Sequence, residues 1–358
     1  MFIGTPWAAL KNTGKVDARG VKKLKVTIKE VARVAGVSIA TVSRVTHGNY
    51  FVSPEIRDRV RKVVNDLGYL PDSGAAALKS KTRYMIGYLV SDISNHQFTV
   101  ISRTIENTIG GEGYSLVVCS NDSQKQRELN CLKGILSQRI DGLIINTSGQ
   151  NDEYIAELSE HLPMALLYRR INSRRFKGDF IGSDNRGGGA MLAETLLVKG
   201  HRSIGVISGD TSINTFAERM QGFNERLFQA NVKIQKKHIK HGDYTEEGGY
   251  AMAEKLLRRG SGITALCVLN NAMAVGAYEY IRAKGIAVPG DISVVSFGDI
   301  RNEKLFFTRP TFVSQYPKEV GSRAAELILS RINSPALAPR EEIIPTRLVP
   351  GESEKCIG

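Results

Sequence analysis

Residues 27–48 read TIKEVARVAGVSIATVSRVTHG. Ile28, Val31 and Ala32 recur at helical spacing, and Ala35-Gly36-Val37 then interrupts the pattern. Ser38 stands where a second helix needs its N-cap, and Val42 and Val45 face back toward the first helix. Two short helices joined by a tight glycine-containing turn form a helix-turn-helix, whose second helix is shaped to enter a DNA major groove.

The charge distribution agrees with that reading. Residues 1–83 hold 16 Lys+Arg against 6 Asp+Glu, and the other 275 residues hold 33 against 30. Most of the net +13 therefore sits beside the helix pair, as a phosphate-binding head requires. A length of 358 residues allows two or three domains. No apolar run approaches the ~20 residues of a membrane helix, and no secretory signal opens the chain. Cys119, Cys131, Cys267 and Cys356 are far apart, without a CxxC or a nearby His pair, so a metal site is not expected. These features point to a reduced protein of the cytoplasm.

Along the chain, residues 1–25 lack periodicity and read as a disordered extension, either a basic arm or sequence ahead of the true start. The helix-turn-helix head spans 26–72. Its third helix is expected from Pro54 to about Leu67, with Ser53 as N-cap, a stripe of Ile56, Val60, Val63, Val64 and Leu67, and Gly68 as the stop. Residues 73–83 are too short for a stable helix alone and read as a plain linker or as a hinge that folds on DNA. From 84 to 358 strands and helices alternate. Strands are expected at 84–91, 114–119, 141–146, 163–168, 179–183, 203–208, 264–269 and 292–297. Helices are expected near 98–111, 125–138, 187–199, 215–229, 246–258, 272–284 and 317–332. Such a βαβ series makes parallel sheets in two α/β lobes, with a ligand cleft beyond the carboxyl ends of the strands.

A helix-turn-helix, a short hinge and a two-lobed α/β core of the periplasmic-binding-protein type together resemble the LacI family of bacterial transcription regulators. The resemblance runs from about Val26 to about Val349. It rests on the head, on GYLPD (68–72), MIGYLVSDISN (85–95), RIDGLIIN (139–146), SDNRGGGAMLAETLLVKGHRSIG (183–205), RMQGF (219–223), VPGDISVVSFGD (288–299) and FFTRPTFVSQYPKEVG (306–321). It implies a homodimer on a pseudo-palindromic double-stranded operator, controlled by a small-molecule effector, with no cofactor. It places base readers at Ile39, Ala40 and Arg44, with Arg44 able to make two hydrogen bonds to a guanine. Thr27, Ser38, Thr41 and Ser43 are short donors suited to phosphates. Leu78 matches the leucine that wedges into the minor groove between paired hinges. Three positions depart from the family: His47 stands before Gly48 where Asn is usual, Asp72 replaces an Asn, and Gly74 weakens the hinge helix.

For the effector, the resemblance points to Gln97, Phe98, Arg169, Thr215, Arg219, Tyr244, Asn270 and Asp299. Arg219 matches the family's effector-binding arginine, Tyr244 an aromatic that stacks on the ligand, and Asn270 a hydroxyl-binding position. Each has a plainer alternative: Phe98 and Tyr244 as core, Arg219 as the ion-pair partner of Glu218 or Glu225. Relatives usually carry Asp where this chain has Tyr168, Asn271 and Gly298, with Asp299 next. Three acidic positions have thus become neutral while Arg169 and Arg219 remain, which favours an anionic ligand, a sugar acid or phosphosugar.

An enzyme is not expected, because the chain has no Walker loop, GxSxG elbow, HExxH or paired His/Cys set, and Gly187-Gly188-Gly189 fits no phosphate-binding pattern. A periplasmic sugar-binding protein would lack the DNA head. The expected function is a repressor, by analogy; a ligand-dependent activator, or a regulator controlled by a protein or phosphoprotein partner, are the alternatives on mechanism.

Overall fold

The computed structural model describes residues 26–47, 52–69, 82–258 and 260–357. The chain divides into two compact units, residues 1–81 and 82–358. The expected hinge, with Asp72, Gly74 and Leu78, the extension 1–25, and the side chain of His47 all lie outside the described residues.

In the first unit, α1 (Ile28–Ala35), α2 (Ile39–His47) and α3 (Pro54–Leu67) pack around Val31, Ala32, Ala35, Val42 and Val60, with Tyr69 closing the cluster. Gly36 ends α1 at φ +64 and Gly68 ends α3 at φ +61. Each lies in open space, so backbone conformation, not crowding, requires the glycine. The wrap is the same at both ends: Val37 N–H returns to Ala32 O at 3.0 Å, and Tyr69 N–H returns to Val64 O at 3.0 Å. Ser38 caps α2 by accepting from Thr41 N–H at 3.1 Å. Ser53, expected to cap α3, makes no side-chain cap bond there; Pro54 at the first turn supplies the start instead.

The second unit contains two six-stranded sheets. The first lobe pairs β1 (Met85–Val90), β2 (Ser115–Ser120), β3 (Gly142–Ile145), β4 (Met164–Leu167), β5 (Asp179–Ser183) and β11 (Glu341–Ile344) in the order β11-β5-β4-β3-β1-β2, all parallel. The second pairs β6 (Ile204–Ser208), β7 (Ile239–His241), β8 (Ala265–Val268), β9 (Ser293–Phe297), β10 (Thr311–Ser314) and β12 (Arg347–Val349) in the order β12-β10-β9-β8-β6-β7; β12 alone runs antiparallel.

Helices cover both faces of each sheet. In the first lobe α4 (His96–Gly110) and α11 (Pro317–Asn333) lie on the face of Ile86, Tyr88 and Val90. The opposite face, with Leu89, is covered by α5 (Lys125–Ser137) and α6 (Asp152–Leu158). In the second lobe α7 (Asn185–Val198) and α8 (Asn214–Gln229) pack on Val206, Cys267, Val295 and Phe297. There α9 (Glu246–Leu256) and α10 (Asn271–Ala283) pack on Ile207, Leu266, Val268 and Val294. This strict alternation along buried strands is what a sheet covered on both faces needs.

All eight expected core strands form, within a residue or two of their expected bounds. The strands β7, β10, β11 and β12 and the helix α6 were not foreseen. The chain passes between lobes three times: after β5, after β10 and after β11. Across the first lobe, Asp179 accepts from Arg331 Nε and Nη2 at 2.8 and 2.7 Å and from Arg340 Nη2 at 3.1 Å, all on a fully buried carboxylate. Burial opposes ionisation of Asp179, but the bonds from Arg331 and Arg340 outweigh it and hold the pKa below the usual value. The carboxylate thereby ties α11 and the strand after it to β5.

His201 is fully buried, with Nδ1 2.9 Å from Thr264 Oγ1 and Nε2 3.1 Å from Lys355 O. It pins the C-terminal residues to the second lobe. Burial pushes its pKa below the ordinary 6.5, against the pull of the Lys355 carbonyl. The unfolded chain therefore takes up the proton first as pH falls. The stability contribution is whole above about 6.5 and is lost on going below it. Thermal melts at about pH 7.5 and about pH 5.5 should show a larger drop in Tm for the wild type than for His201→Gln; equal drops would refute the assignment.

Candidate functional site

In the head, Ile39 is 45% exposed and Ala40 and Arg44 are exposed, whereas Val42 is fully buried. Ile39 is therefore a surface residue at the start of the second helix, and Val42 fills the core position. The hydroxyls of Ser38 and Thr41 lie 2.9 Å apart, so one donates to the other and one proton remains for an outside acceptor. Thr27 occupies the N-cap position of α1 with no capping bond from its side chain. Ser43 is half-buried on the same helix. The outward surface of α2 is thus apolar at its start, with one long cation and a few hydroxyls beside it.

In the core, a cavity of about 500 Å³ opens between the lobes. Its walls are the carboxyl ends of the strands: Asn146 follows β3, Tyr168 and Arg169 follow β4, Asn270 follows β8, Gln315 follows β10, and Phe297 ends β9. That size suits a monosaccharide or a small heterocycle. Gln97, Phe98, Arg169, Thr215, Arg219, Tyr244 and Asn270, seven of the eight positions expected from sequence, line it. Asp299 does not. Its carboxylate turns away to accept from Ser314 Oγ at 2.6 Å and Gln315 N–H at 3.0 Å, and burial raises its pKa. Asp299 braces the β10 exit behind Gln315, which takes its place in the wall.

Arg219 is buried. Nε donates to Asn185 Oδ1 at 2.9 Å and Nη1 to Leu269 O at 2.7 Å, and the guanidinium lies 3.8 Å over the Phe297 ring. Its position comes from the close crossing of α7 and α8. A Cβ on Gly189 would sit 2.1 Å from Arg219 O, and one on Gly222 would sit 1.9 Å from Arg186 O. The glycine run of α7 therefore serves helix packing. Glu225 pairs with Arg186, and Glu218 holds Asn185, so neither carboxylate reaches Arg219. Burial lowers the Arg219 pKa to about 9, with nearby Arg169 adding to the depression.

Arg169 is also buried, donating from Nη1 to Thr147 O at 3.0 Å and to Ser123 Oγ at 3.2 Å, with Tyr244 5.6 Å away. Tyr168 before it has φ +61, and Arg169 N–H closes a three-residue turn on Leu167 O at 2.7 Å. Tyr244 has φ +74. A bulky residue at positive φ costs of order 1–3 kcal/mol, and such strain gathers at ligand sites. Tyr244 stacks on Phe216 with centroids 5.0 Å apart. Asn270, in the cavity wall, caps α10 by accepting from Met273 N–H at 3.0 Å, which commits its oxygen.

Among the described residues neither arginine has a carboxylate partner. The rim carboxylates are occupied locally: Asp92 by Ser94, Asp122 by Arg127, Asp243 by Thr245. Two further wall atoms are buried without a partner, Asn146 Oδ1 and Gln315 Nε2. These two residues and Phe216 are not among the expected site positions; Asn271 is expected only as a neutral replacement of an acid. Asn146 ends the expected strand RIDGLIIN and was open to recognition there, whereas Gln315 follows a strand that was not assigned. Asn271 bridges the lobes: it donates to Asn95 Oδ1 at 2.9 Å and accepts from Asn95 Nδ2 at 3.2 Å. Gln97 Nε2 donates to Tyr168 Oη at 2.8 Å and Gln315 Oε1 at 2.9 Å. No group of three or more metal-binding side chains comes together, and no helix is long and apolar enough to cross a membrane, among the described residues.

Residues 27–72 match the family described as bacterial regulatory proteins, lacI family, and residues 193–354 match the periplasmic binding protein-like domain. The chain is 32% identical over 310 residues to the HTH-type transcriptional repressor PurR of Histophilus somni (strain 129Pt), covering 86% of this chain and 92% of that one. It is 30% identical over 312 residues to the ribose operon repressor of Haemophilus influenzae, covering 86% and 92%. Among solved structures, the lac repressor dimer bound to operator and the anti-inducer ONPF superposes with a TM-score of 0.79 at 25% identity, covering 93% of this chain and all of that one. A head with an outward recognition helix, followed by two α/β lobes around a cleft, and relatives of this identity over nearly their whole length place the chain in the LacI family of bacterial DNA-binding transcriptional repressors, which are not enzymes.

Proposed function

We propose that this repressor is controlled by a negatively charged small molecule, a sugar acid or phosphosugar, bound between the lobes. The observation that carries this reading is the pair of buried guanidinium groups, Arg169 and Arg219, without a carboxylate against either among the described residues. A buried cation of that kind is costly unless a ligand supplies the missing charge. The stacked Phe216–Tyr244 pair offers a flat apolar wall, and Asn146 Oδ1 and Gln315 Nε2 offer one acceptor and one donor for hydroxyls. A ligand that touches both lobes favours the closed state and so couples to DNA affinity by its differential affinity for two states.

The same reading makes the active species a homodimer on a pseudo-palindromic operator; the similar lac repressor was solved as a dimer bound to operator. Support comes from the second lobe, where Leu305 is 80% exposed and Phe307 fully exposed beside a groove lined by Tyr278, Ile281 and Ile286. Apolar side chains so displayed mark an interface.

The test is a fluorescence-anisotropy titration with an operator taken from beside the protein's own gene, repeated against neutral sugars, sugar acids and phosphosugars. An acid or phosphate ester should shift operator affinity; tight binding of neutral sugars with none of the acids would sink the anionic reading. Arg219→Met should weaken the effective ligand roughly 100-fold, about 3 kcal/mol, while ligand-free operator affinity stays within about threefold. Arg44→Ala should cost about 1–3 kcal/mol of operator binding and relax preference at one base pair, read by titration against single-base operator variants. Phe307→Asp should raise the dimer dissociation constant by at least about tenfold in sedimentation equilibrium; an unchanged constant removes this face from the interface.

A further inference from the structure

Glu128, in the first turn of α5, is fully buried and outside the cavity wall. Its carboxylate accepts four bonds, all from neutral groups. Oε1 takes Ser148 N–H at 2.6 Å and Asn121 Nδ2 at 3.2 Å; Oε2 takes Ser148 Oγ at 2.7 Å and Asn151 Nδ2 at 2.7 Å. No cation pairs with it among the described residues. A buried carboxylate so placed needs a reason, because an ionised acid is held in a protein interior only against a large desolvation cost.

The bonds lead to Arg169. Asn121 donates a second time, to Asn146 O at 3.0 Å, and accepts from Ser123 N–H at 2.8 Å. Glu128 therefore binds together the connection after β2 (Asn121–Ser123) and the connection after β3 (Asn146–Asn151). Those two connections supply both acceptors of Arg169 Nη1, Ser123 Oγ and Thr147 O. Nη1 is thus consumed on the protein side, and the edge of Nε and Nη2 has no protein partner among the described residues. That edge is the one that takes a carboxylate or phosphate with two parallel bonds. Burial depresses the Arg169 pKa, and Tyr244 and Glu128 both act to raise it.

We infer that Glu128 is the positioning residue for Arg169: through one layer of neutral hydrogen bonds it fixes the two connections that grip the guanidinium, and its negative charge offsets the buried cation. The inference rests on the proposal that Arg169 faces the effector, but the coupling between the two residues is testable without any effector.

The experiment is a double-mutant cycle on the ligand-free full chain, with Tm as readout, using Glu128→Gln, Arg169→Met and the pair. Glu128→Gln removes the only partial offset that a nearby carboxylate gives the Arg169 charge among the described residues and should lower Tm by about 5–10 °C. Arg169→Met removes the buried cation and should change Tm by no more than about 3 °C. The double variant should fall within about 3 °C of Arg169→Met alone, so that removing the cation restores most of the loss. A carboxylate that merely cross-links loops would cost the same with or without the Arg169 charge; additive losses, or no loss from Glu128→Gln, overturn the inference. If Glu128→Gln alone does not fold, a folded double variant supports the coupling and an unfolded one refutes it. A failed effector screen with an intact cycle would reject the anionic ligand and keep the Glu128–Arg169 coupling; the converse result would do the reverse.

Discussion

The core is organised around two guanidinium groups held out of water beside an open cleft. Neither can be neutralised cheaply: Arg219 keeps its proton at neutral pH despite a pKa drawn down to about 9 by burial. The fold offsets these charges with partial ones. Leu269 O and Thr147 O point at them, Asn185 Oδ1 and Ser123 Oγ accept from them, and the Phe297 ring lies under Arg219 at 3.8 Å. Each device demands exact backbone placement, which explains features that otherwise look unrelated. Glycines 189 and 222 let α7 and α8 approach until carbonyls would strike a Cβ. Tyr168 accepts a positive φ so that Arg169 turns back into the cleft. A second layer, with Asn185 leading to Glu218 and Asn121 and Ser148 leading to Glu128, brings carboxylates near without letting them cap the cations. The guanidinium donors that line the cleft are thereby left without a carboxylate partner among the described residues.

The lobes meet through neutral amides. Asn95 and Asn271 exchange two hydrogen bonds, and Gln97 links Tyr168 to Gln315 in the segment where the chain crosses after β10. Neutral bonds are each worth about 0.5–1.5 kcal/mol net and respond little to pH or salt. Closure is therefore weakly favoured by the protein alone, and a charged ligand bridging the lobes can shift the balance by its differential affinity. An acid at position 271 would have put a titratable group in this contact; the amide keeps closure from following pH. The relay through Gln315 also gives a reason for the turned-away Asp299, which holds Gln315 by its backbone N–H at 3.0 Å.

Much of this architecture can be read in the chain before the fold is known, for physical reasons. Strands such as 142–145 and 265–268 are continuous apolar runs, the signature of burial on both faces, and helices such as 214–229 carry a clear apolar stripe. The strands that the sequence pattern does not mark are short, three or four residues each. β10 is TFVS between prolines 310 and 317, and β11 and β12 are separated by Pro345, with alternate residues of β11 exposed. Such short strands take their conformation from the neighbours they pair with, and local pattern carries little of that. The cavity residues divide the same way. Arg219 sits in the motif RMQGF, and Phe98 and Tyr244 follow from the family resemblance. Gln315 and the bracing role of Asp299 depend on a crossing of the chain, and Glu128 depends on contacts with residues about 20 positions away, Ser148 and Asn151. A glutamate in the first turn of an amphipathic helix reads as a solvated dipole partner; its burial emerges only once the connections after β2 and β3 converge on it.

The head imposes a complementary constraint on DNA recognition. Val42 is fully buried, and Ile39 and Ala40 face outward, so the start of α2 offers methyl groups, with Arg44 the long polar side chain on this exposed surface. One bidentate arginine supplies about 1–3 kcal/mol of base discrimination. Specific binders of this kind exceed their non-specific affinity by roughly 4–10 kcal/mol. With Arg44 as the base reader proposed above, two heads double the arginine term and still fall toward the lower end of that range. The rest has to come from contacts with thymine methyls and from the energy of deforming the duplex. Both depend on geometry more than on charge, so ionic strength should act mainly on overall affinity and much less on the choice between sites. That division suits a protein whose first 83 residues carry most of its net positive charge: electrostatics brings the head to DNA, while shape and a few base edges decide where it stays.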